Sequence, residues 1–161
     1  FWTAPVADAA EKLAAILRAE RADVLTCYDD NGTYGHPDHI QVHRVGLRAA
    51  ELAGTPRVYQ ATMNRDHLLR GRPALIAAGI DPPELDDGFG KPESLITAAV
   101  DVSPYLDHKR RAMRAHASQI SERSFFLAMP DTPFRHAFGT EWFIRQDHGP
   151  GITETDLMAG L

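Results

Sequence analysis

The sequence predicts an α/β fold of the Rossmann-like class, in which a mainly parallel sheet carries helices on both faces. Helix and strand patterns alternate along the chain, and apolar runs of strand length follow amphipathic segments. The densest group of histidines and carboxylates comes directly after a strand pattern, where open α/β sheets place their binding sites. Only three or four strands are recognisable, which is fewer than such a sheet usually contains. We therefore expect the N-terminal strands of the sheet to be missing from this sequence.

The chain begins with a helix pattern followed by a strand pattern. Leucine and isoleucine recur at helical spacing between Asp8 and Ala22, among alanines and charged residues, which predicts an amphipathic helix. The apolar run at residues 23–28 then predicts a buried strand.

The second helix and the second strand have clear boundary signals. Pro37 suits the first turn of a helix, because its missing N–H costs least there, and Gly54 suits the residue after a helix end. These signals predict a helix over residues 37–53. The β-branched and aromatic residues that follow predict a strand over residues 57–62.

The middle of the chain is less regular. Pro73 interrupts a helical pattern at residues 66–78 and must begin a new helix or kink this one. Residues 80–94 are rich in proline, glycine and aspartate, so they predict a loop long enough to cover part of a site. An apolar run predicts a strand over residues 95–102.

The last third predicts one more helix and an aromatic-rich segment. A Ser-Pro start supplies a cap and a first-turn proline for a helix over residues 103–120. Much of the remaining aromatic mass lies at residues 125–130 and 138–144, which we expect to pack over the sheet. Residues 147–161 are expected to form a frayed tail.

Composition limits the classes of partner. The chain has 161 residues, 43% of them hydrophobic and 24% charged, with a formal charge of −5, which fits one ordinary domain. The acidic balance without a Lys/Arg run argues against nucleic acid, so we expect a small ligand. No apolar stretch reaches the roughly 20 residues of a membrane span. The single cysteine, Cys27, allows no intrachain disulfide and is expected in the core of a cytoplasmic protein.

Most of the candidate chemistry lies between the first strand and the helix that begins at Pro37. Three histidines, His36, His39 and His43, are spaced three and then four residues apart, so they share one face if all are helical. His36 precedes the helix, however, and we expect different roles for His36 and His39, one as an acid or electrophile and one as a zinc ligand. His43 is expected to pack deeper. Asp38 fits two roles, orienting an imidazole or placing a charge at the helix N-terminus.

The sequence predicts that this group is half of a catalytic metal site. A catalytic zinc needs about three protein ligands and an open position, and the sequence shows no second cluster of ligands at suitable spacing. His116 and Gln119, one helical turn apart, face either a pocket mouth, a neighbouring subunit or simply solvent.

The run Tyr28–His39, YDDNGTYGHPDH, resembles the second signature of the LmbE-like (PIG-L) N-acetylglucosaminyl deacetylase family, which includes deacetylases and amidases of the mycothiol pathway. The segment 109–119, KRRAMRAHASQ, is similar to the C-terminal helix of that family, and the resemblance spans most of residues 8–145. Thr33 stands where many members have glycine, which bears on the shape of the loop. Members also begin with a strand that ends in His-Pro-Asp-Asp-Glu, and nothing in this sequence matches it.

The resemblance implies a role for each motif residue. It implies that His39 is the third zinc ligand and that His36 stabilises the oxyanion or protonates the leaving amine. It further implies that Asp38 orients His36 and that Tyr34 closes over the substrate carbonyl. The candidate substrate-binding residues are Asn31, His116 and Gln119.

The function implied by the resemblance is a zinc-dependent hydrolase that removes an N-acyl (acetyl) group from a glucosamine-containing substrate. The expected partner is thus a small amino sugar or a thiol glycoside. Residues 1–146 are then the C-terminal part of a single deacetylase domain. Such a chain is active only together with the missing N-terminal segment, which carries the other zinc ligands and the base, and a homo-oligomer is compatible with it. The alternative is a catalytically silent binding or assembly subunit of the same fold.

Overall fold

Seven helices and four strands make up the described part of the chain, residues 1–77 and 79–161 of a computed structural model. The helices are α1 (Val6–Glu20), α2 (Gly32–Gly35, a single turn), α3 (Pro37–Ala53), α4 (Arg65–Ala77), α5 (Leu106–Ala115), α6 (Phe125–Ala128) and α7 (Asp131–Phe138). The strands are β1 (Val24–Tyr28), β2 (Arg57–Thr62), β3 (Ala98–Asp101) and β4 (Thr140–Arg145). Short 3₁₀ turns, Glu93–Leu95 and Ser103–Tyr105, precede β3 and α5.

The four strands form one mixed sheet in the order β1-β2-β4-β3. β1 and β2 are parallel, whereas β4 is antiparallel to both β2 and β3. The α/β class is therefore confirmed, but the sheet is not mainly parallel in its pairings. Three strands still run in one direction, and it is the insertion of β4 between β2 and β3 that makes two of the pairings antiparallel.

The insertion of β4 corrects the expectation that residues 138–144 pack over the sheet. Phe143 pairs with Ala61 of β2 on one side and with Ala98 of β3 on the other. A strand with partners on both edges has its backbone N–H and C=O groups satisfied, which a segment lying over the sheet would not achieve.

The core has a different composition on each face of the sheet. On one face α3 contacts β1 and β2, and α1 packs along α3 through small side chains such as Ala10, Ala14 and Ala49. On the opposite face Tyr59 and Phe143 are buried together, and Leu157 from the C-terminal tail packs against them. α3 thus supplies the helical cover on its own face, while the tail contributes to the cover of the other.

The C-terminal tail is held against the sheet, so the expectation of a frayed segment at residues 147–161 is wrong. The Arg57 guanidinium donates hydrogen bonds to the carbonyls of Ala159 (2.6 Å) and Gly160 (3.0 Å). Arg145 of β4 forms an ion pair with Glu154 at 2.7 Å. These contacts tie the tail to β2 and β4.

Helix boundaries agree with the sequence signals at some ends and not at others. α3 has the predicted bounds and ends at Gly54 in the left-handed conformation (φ 72°). α4 continues through Pro73 as one helix, and Ala78, the last residue predicted for it, lies outside the described residues. α5 ends at Ala115, five residues before the expected end at Ile120. Among the described residues, no helix combines the length and the apolar character needed to cross a membrane.

Candidate functional site

An open groove of about 720 Å³ lies where β1 and β2 end. Tyr34 and His39 line it near the start of α3, and Thr62 and Met63 line it at the end of β2. The carboxyl ends of parallel strands are the usual position of a binding site in an open α/β sheet. The groove therefore coincides with the motif that the sequence singled out.

The site loop (residues 29–36) connects β1 to α3 and folds back on the first turn of that helix. Gly32 has a positive φ of 61°, and a Cβ on it would lie 2.7 Å from the Cβ of His39. Only glycine allows so close an approach in this conformation. His36 caps α3, because its extended backbone directs the chain into the helix and its Nδ1 accepts a hydrogen bond from the Asp38 amide.

His39 is held in the tautomer that suits a metal ligand. Its Nδ1 lies 3.2 Å from the carbonyl oxygen of Gly32. A carbonyl only accepts hydrogen bonds, so Nδ1 carries the proton and, in the neutral ring, Nε2 keeps its lone pair. The ring stacks on Tyr28, with centroids 4.0 Å apart and planes within 3°. These two contacts fix both the orientation of the imidazole and the nitrogen that is free to bind.

His36 is held in the opposite tautomer. Its Nδ1 accepts the hydrogen bond from the Asp38 amide at 3.2 Å, so in the neutral ring the proton is on Nε2. The His36 and His39 ring centroids are 4.7 Å apart. An N–H donor next to a nitrogen lone pair is an arrangement that can stabilise an oxyanion beside a metal. Of the two roles expected for His36, this tautomer favours oxyanion stabilisation.

Tyr34 lies at the mouth of the groove with 55% of its surface exposed. Its ring meets His39 edge-on at 5.1 Å and His36 at 6.1 Å. The structure thus brings together the three side chains to which the resemblance assigned the central chemistry. Their proximity agrees with the sequence prediction, although the role of each stays a proposal.

The carboxylate of Asp38 does not contact His36 and instead faces the start of the chain. Its Oδ1 accepts a hydrogen bond of 2.7 Å from the Trp2 amide, and this bond holds the pKa of Asp38 below its usual value. Asp38 reaches the His36 imidazole only through its backbone amide. The carboxylate therefore has the position of a helix N-terminal charge, the second of its two expected roles.

The three candidate substrate-binding residues are not among the described residues that line the groove. Asn31 uses its side-chain amide to donate a hydrogen bond to the Gly88 carbonyl at 2.5 Å. His116 and Gln119 are exposed beyond the end of α5, where the Gln119 amide bonds to the His116 carbonyl. The geometry gives Asn31 a loop-holding contact and leaves His116 and Gln119 on the surface.

His43 packs beneath the site loop, as the sequence predicts. Its Nδ1 lies 3.0 Å from the carbonyl oxygen of Tyr28, and the ring is half-buried. This contact supports the residue on which the His39 ring stacks. His43 itself does not line the groove.

The long loop at residues 80–94 docks on the site loop through a clamp segment (residues 88–91), in agreement with its expected position near the site. The Gly90 amide donates a hydrogen bond to the Thr33 carbonyl at 2.6 Å. Lys91 forms an ion pair with Asp30, and its hydrogen bond to that carboxylate lowers the pKa of Asp30. Sequence reasoning placed this loop near the site without identifying its partners.

Sequence reasoning also missed three residues that hold the His39 ring and the site loop in position: Tyr28, Asp29 and Gly32. The stacking role of Tyr28 had only one sequence signal, an aromatic residue at the end of a strand. The roles of Asp29 and Gly32 depend on contacts that close only when the loop folds back on α3 and β2.

Within residues 1–77 and 79–161, no group of three or more His, Cys, Asp or Glu side chains is arranged to hold a metal ion. His39 is a single candidate ligand, and the donor set of a catalytic zinc site is larger.

Comparison with known proteins provides the most direct evidence of relationship. No protein-family model matches the chain. It is 38% identical over 183 residues to the 1D-myo-inositol 2-acetamido-2-deoxy-alpha-D-glucopyranoside deacetylase of Geodermatophilus obscurus. It is also 38% identical over 174 residues to the Acidothermus cellulolyticus protein of the same name. The chain is homologous to these deacetylases.

The relationship extends over the whole of the present sequence. A third relative, from Catenulispora acidiphila, is 36% identical over 185 residues and carries the same name with the number 1. All three alignments cover 100% of this chain, but only 62%, 59% and 57% of the relatives. The chain thus spans about three fifths of the length of the curated relatives it matches. The resemblance to deacetylases inferred from the motif at residues 28–39 is confirmed.

Proposed function

We propose that this chain is the C-terminal part of a zinc-dependent deacetylase that removes the acetyl group from a glucosaminyl-inositol substrate. The names of the curated relatives specify a deacetylase of an acetamido-glucopyranoside of inositol. The observation that carries the proposal is the pair of histidines in one groove: His39 offers an Nε2 lone pair, and His36 offers an N–H donor.

Zinc is the proposed cofactor, and His39 is the residue of this chain that would hold it. A neutral imidazole nitrogen whose other nitrogen donates to a carbonyl is a common zinc ligand. One imidazole is a weak anchor, so we propose that an N-terminal segment of the same enzyme provides the other ligands and the general base. When bound, zinc supplies polarisation of the amide carbonyl and a water of lowered pKa.

His36 and Tyr34 act on the charge that develops on the substrate oxygen. The Nε2–H of His36 donates a hydrogen bond to the oxyanion of the tetrahedral intermediate, and its direction is fixed because the Asp38 amide holds Nδ1. The Tyr34 phenol lies at the groove mouth and supplies a second donor over the same carbonyl. Tyr28 and Gly32 keep the His39 ring in place during the reaction.

The test compares histidine variants of the complete enzyme, with zinc content and turnover measured in the same preparations. His39→Ala should lose zinc on dialysis, whereas the matched control His43→Ala should retain most of it, because His43 does not line the groove. His36→Ala should keep its zinc and lower kcat by about two to four orders of magnitude, the usual range for an oxyanion donor or an acid. Tyr34→Phe should lower kcat with zinc content unchanged.

The readout is release of free amine from N-acetylglucosaminyl inositol. Equal zinc loss from the His39 and His43 variants would mean that His39 is not the ligand. Unchanged turnover by the His36 variant would exclude it from the reaction. A complete protein that binds zinc but releases no amine would refute the proposed substrate, and one that does neither would support a silent binding or assembly subunit.

A further inference from the structure

Asp29 is a fully buried carboxylate at the junction of β1 and the site loop, and both of its oxygens are hydrogen-bonded. Oδ1 accepts a bond of 2.7 Å from the Thr33 amide, and Oδ2 accepts one of 2.5 Å from the Thr62 hydroxyl. Its backbone is bonded as well, because its amide donates to Ala61 at 3.1 Å and its carbonyl accepts from Gly32 at 3.0 Å. A buried carboxylate is costly unless such bonds satisfy it.

The Thr33 amide that Asp29 binds belongs to a strained residue. Thr33 has φ 66° and ψ −45°, a region that a β-branched side chain rarely adopts. The strain is held from both sides, because Asp29 binds the Thr33 amide and the Gly90 amide binds the Thr33 carbonyl at 2.6 Å. The conformation of the loop is therefore imposed by these contacts and not by local preference.

The two residues anchored by Asp29 lead directly to the candidate chemistry. Gly32, bonded through the Asp29 carbonyl, supplies the carbonyl that fixes Nδ1 of His39. Thr33, bonded through the carboxylate, immediately precedes Tyr34. Asp29 itself does not line the groove and has no exposed surface.

We propose that Asp29 is a positioning residue, which sets the orientation of His39 and Tyr34 by accepting hydrogen bonds inside the site loop. It neither binds metal nor transfers a proton, because both oxygens are already bonded within the fold and lie outside the groove. The inference rests on the proposed function, since it concerns the same site.

This role requires hydrogen-bonding capacity and not negative charge, which makes asparagine an informative substitute. In Asp29→Asn the side-chain oxygen still accepts from the Thr33 amide, and the new NH₂ donates to the Thr62 hydroxyl. That hydroxyl is then free to donate to the Met63 carbonyl, which is 3.5 Å from it. In Asp29→Ala both partners lose their bonds. A metal ligand or a general base would not tolerate either change.

The experiment measures hydrogen–deuterium exchange and kinetics on the complete enzyme. Peptides covering residues 29–36 should exchange about tenfold faster in Asp29→Ala, because the Thr33 amide loses its acceptor, and at nearly the wild-type rate in Asp29→Asn. The alanine variant should lower kcat by about 10- to 100-fold, the range for removing a partner that orients a ligand. The asparagine variant should stay within about threefold of wild type.

Two substitutions of Thr62, which binds Oδ2 of Asp29, control for a failure of Asp29→Ala to fold. Thr62→Ser keeps the hydroxyl donor, so peptides covering residues 29–36 should exchange at nearly the wild-type rate, whereas Thr62→Val removes the donor and should increase exchange in the same peptides. If Asp29→Ala does not fold, this pair and Asp29→Asn still decide the question.

The proposal would be overturned if Asp29→Asn lost as much kcat as Asp29→Ala while its peptides at residues 29–36 still exchanged slowly. The negative charge of Asp29 would then be the essential property. Unchanged exchange at residues 29–36 in both Asp29→Ala and Thr62→Val would also overturn it. If the wild-type enzyme does not deacetylate but the exchange pattern is as expected, the proposed function fails while the anchoring by Asp29 stands.

Discussion

Replacing Gly32 by alanine tests the packing of the site loop against α3. The positive φ of 61° costs an L-residue roughly 1–2 kcal/mol. The new Cβ would also lie 2.7 Å from the His39 Cβ and 2.9 Å from the Ile40 amide nitrogen. These neighbours sit in the first turns of α3 and cannot simply rotate away, so overpacking adds about 1–3 kcal/mol. The expected loss in the free energy of unfolding is therefore about 2–5 kcal/mol.

Gly35→Ala is the matched control for this change. Gly35 also has a positive φ, 82°, but beyond its own chain neighbours no described atom lies within 4 Å of its Cβ position. Its variant pays only the backbone cost of roughly 1–2 kcal/mol. The entropy that alanine removes from the unfolded chain is similar for both and cancels in the comparison. Urea unfolding of the two variants of the complete protein, with unchanged m-values, gives the difference directly.

The difference between the two variants should be about 1–3 kcal/mol, with Gly32→Ala the less stable. Equal losses would show that the site loop does not press on α3 as the structure describes. A loss confined to Gly35→Ala would refute the reasoning outright. In the Gly32 variant zinc retention should fall as well, because the carbonyl that holds His39 moves with the loop.

Three further predictions concern strain, burial and pH. Thr33→Gly should raise the free energy of unfolding by up to about 2 kcal/mol in urea titrations, because it relieves a strained φ, while Thr33→Val should not. Cys27, whose pKa is raised to about 11 by burial and by Asp29, should react with thiol reagents at pH 8 only after unfolding. Burial lowers the pKa of His67, so the unfolded state takes up a proton first as the pH decreases. The free energy of unfolding should therefore fall as the pH decreases from about 6.5, the unfolded pKa, to the lower folded value. His67→Gln should flatten that fall in melts measured across pH.

The parts of the fold that local signals specify were predictable. α3 and β2 have the bounds that Pro37, Gly54 and the β-branched run indicate. β4 was not recognised as part of the sheet, because its apolar run suits a strand and a covering segment equally well. Its place between β2 and β3 depends on pairing across the chain. The order of strands, unlike the existence of a helix, is a long-range property that periodicity does not encode.

The residues of the candidate site also divide into those that local sequence predicts and those that depend on long-range contacts. His36, His39 and Tyr34 were predicted to lie together because they are close in sequence at the start of one helix. The role of Asp29 was not predicted, because its partner Thr62 lies 33 positions away in the sequence. That contact forms only through the parallel register that pairs Tyr28 with Ala61 and so aligns the ends of β1 and β2.

The energetic costs in the site loop bear on the choice between an enzyme and a silent subunit. Thr33 has a strained backbone, and Asp29 is a carboxylate removed from water. Each lowers stability unless neighbouring contacts hold it, and such strain concentrates at active sites and binding clamps. Both lie within a few residues of His36 and His39, whose tautomers are already set for donation and for metal binding. An assembly subunit gains nothing from this arrangement, so the costs in the site loop favour the enzyme over the silent subunit. A complete enzyme that Thr33→Gly stabilises but slows in turnover would show that the strain serves the reaction.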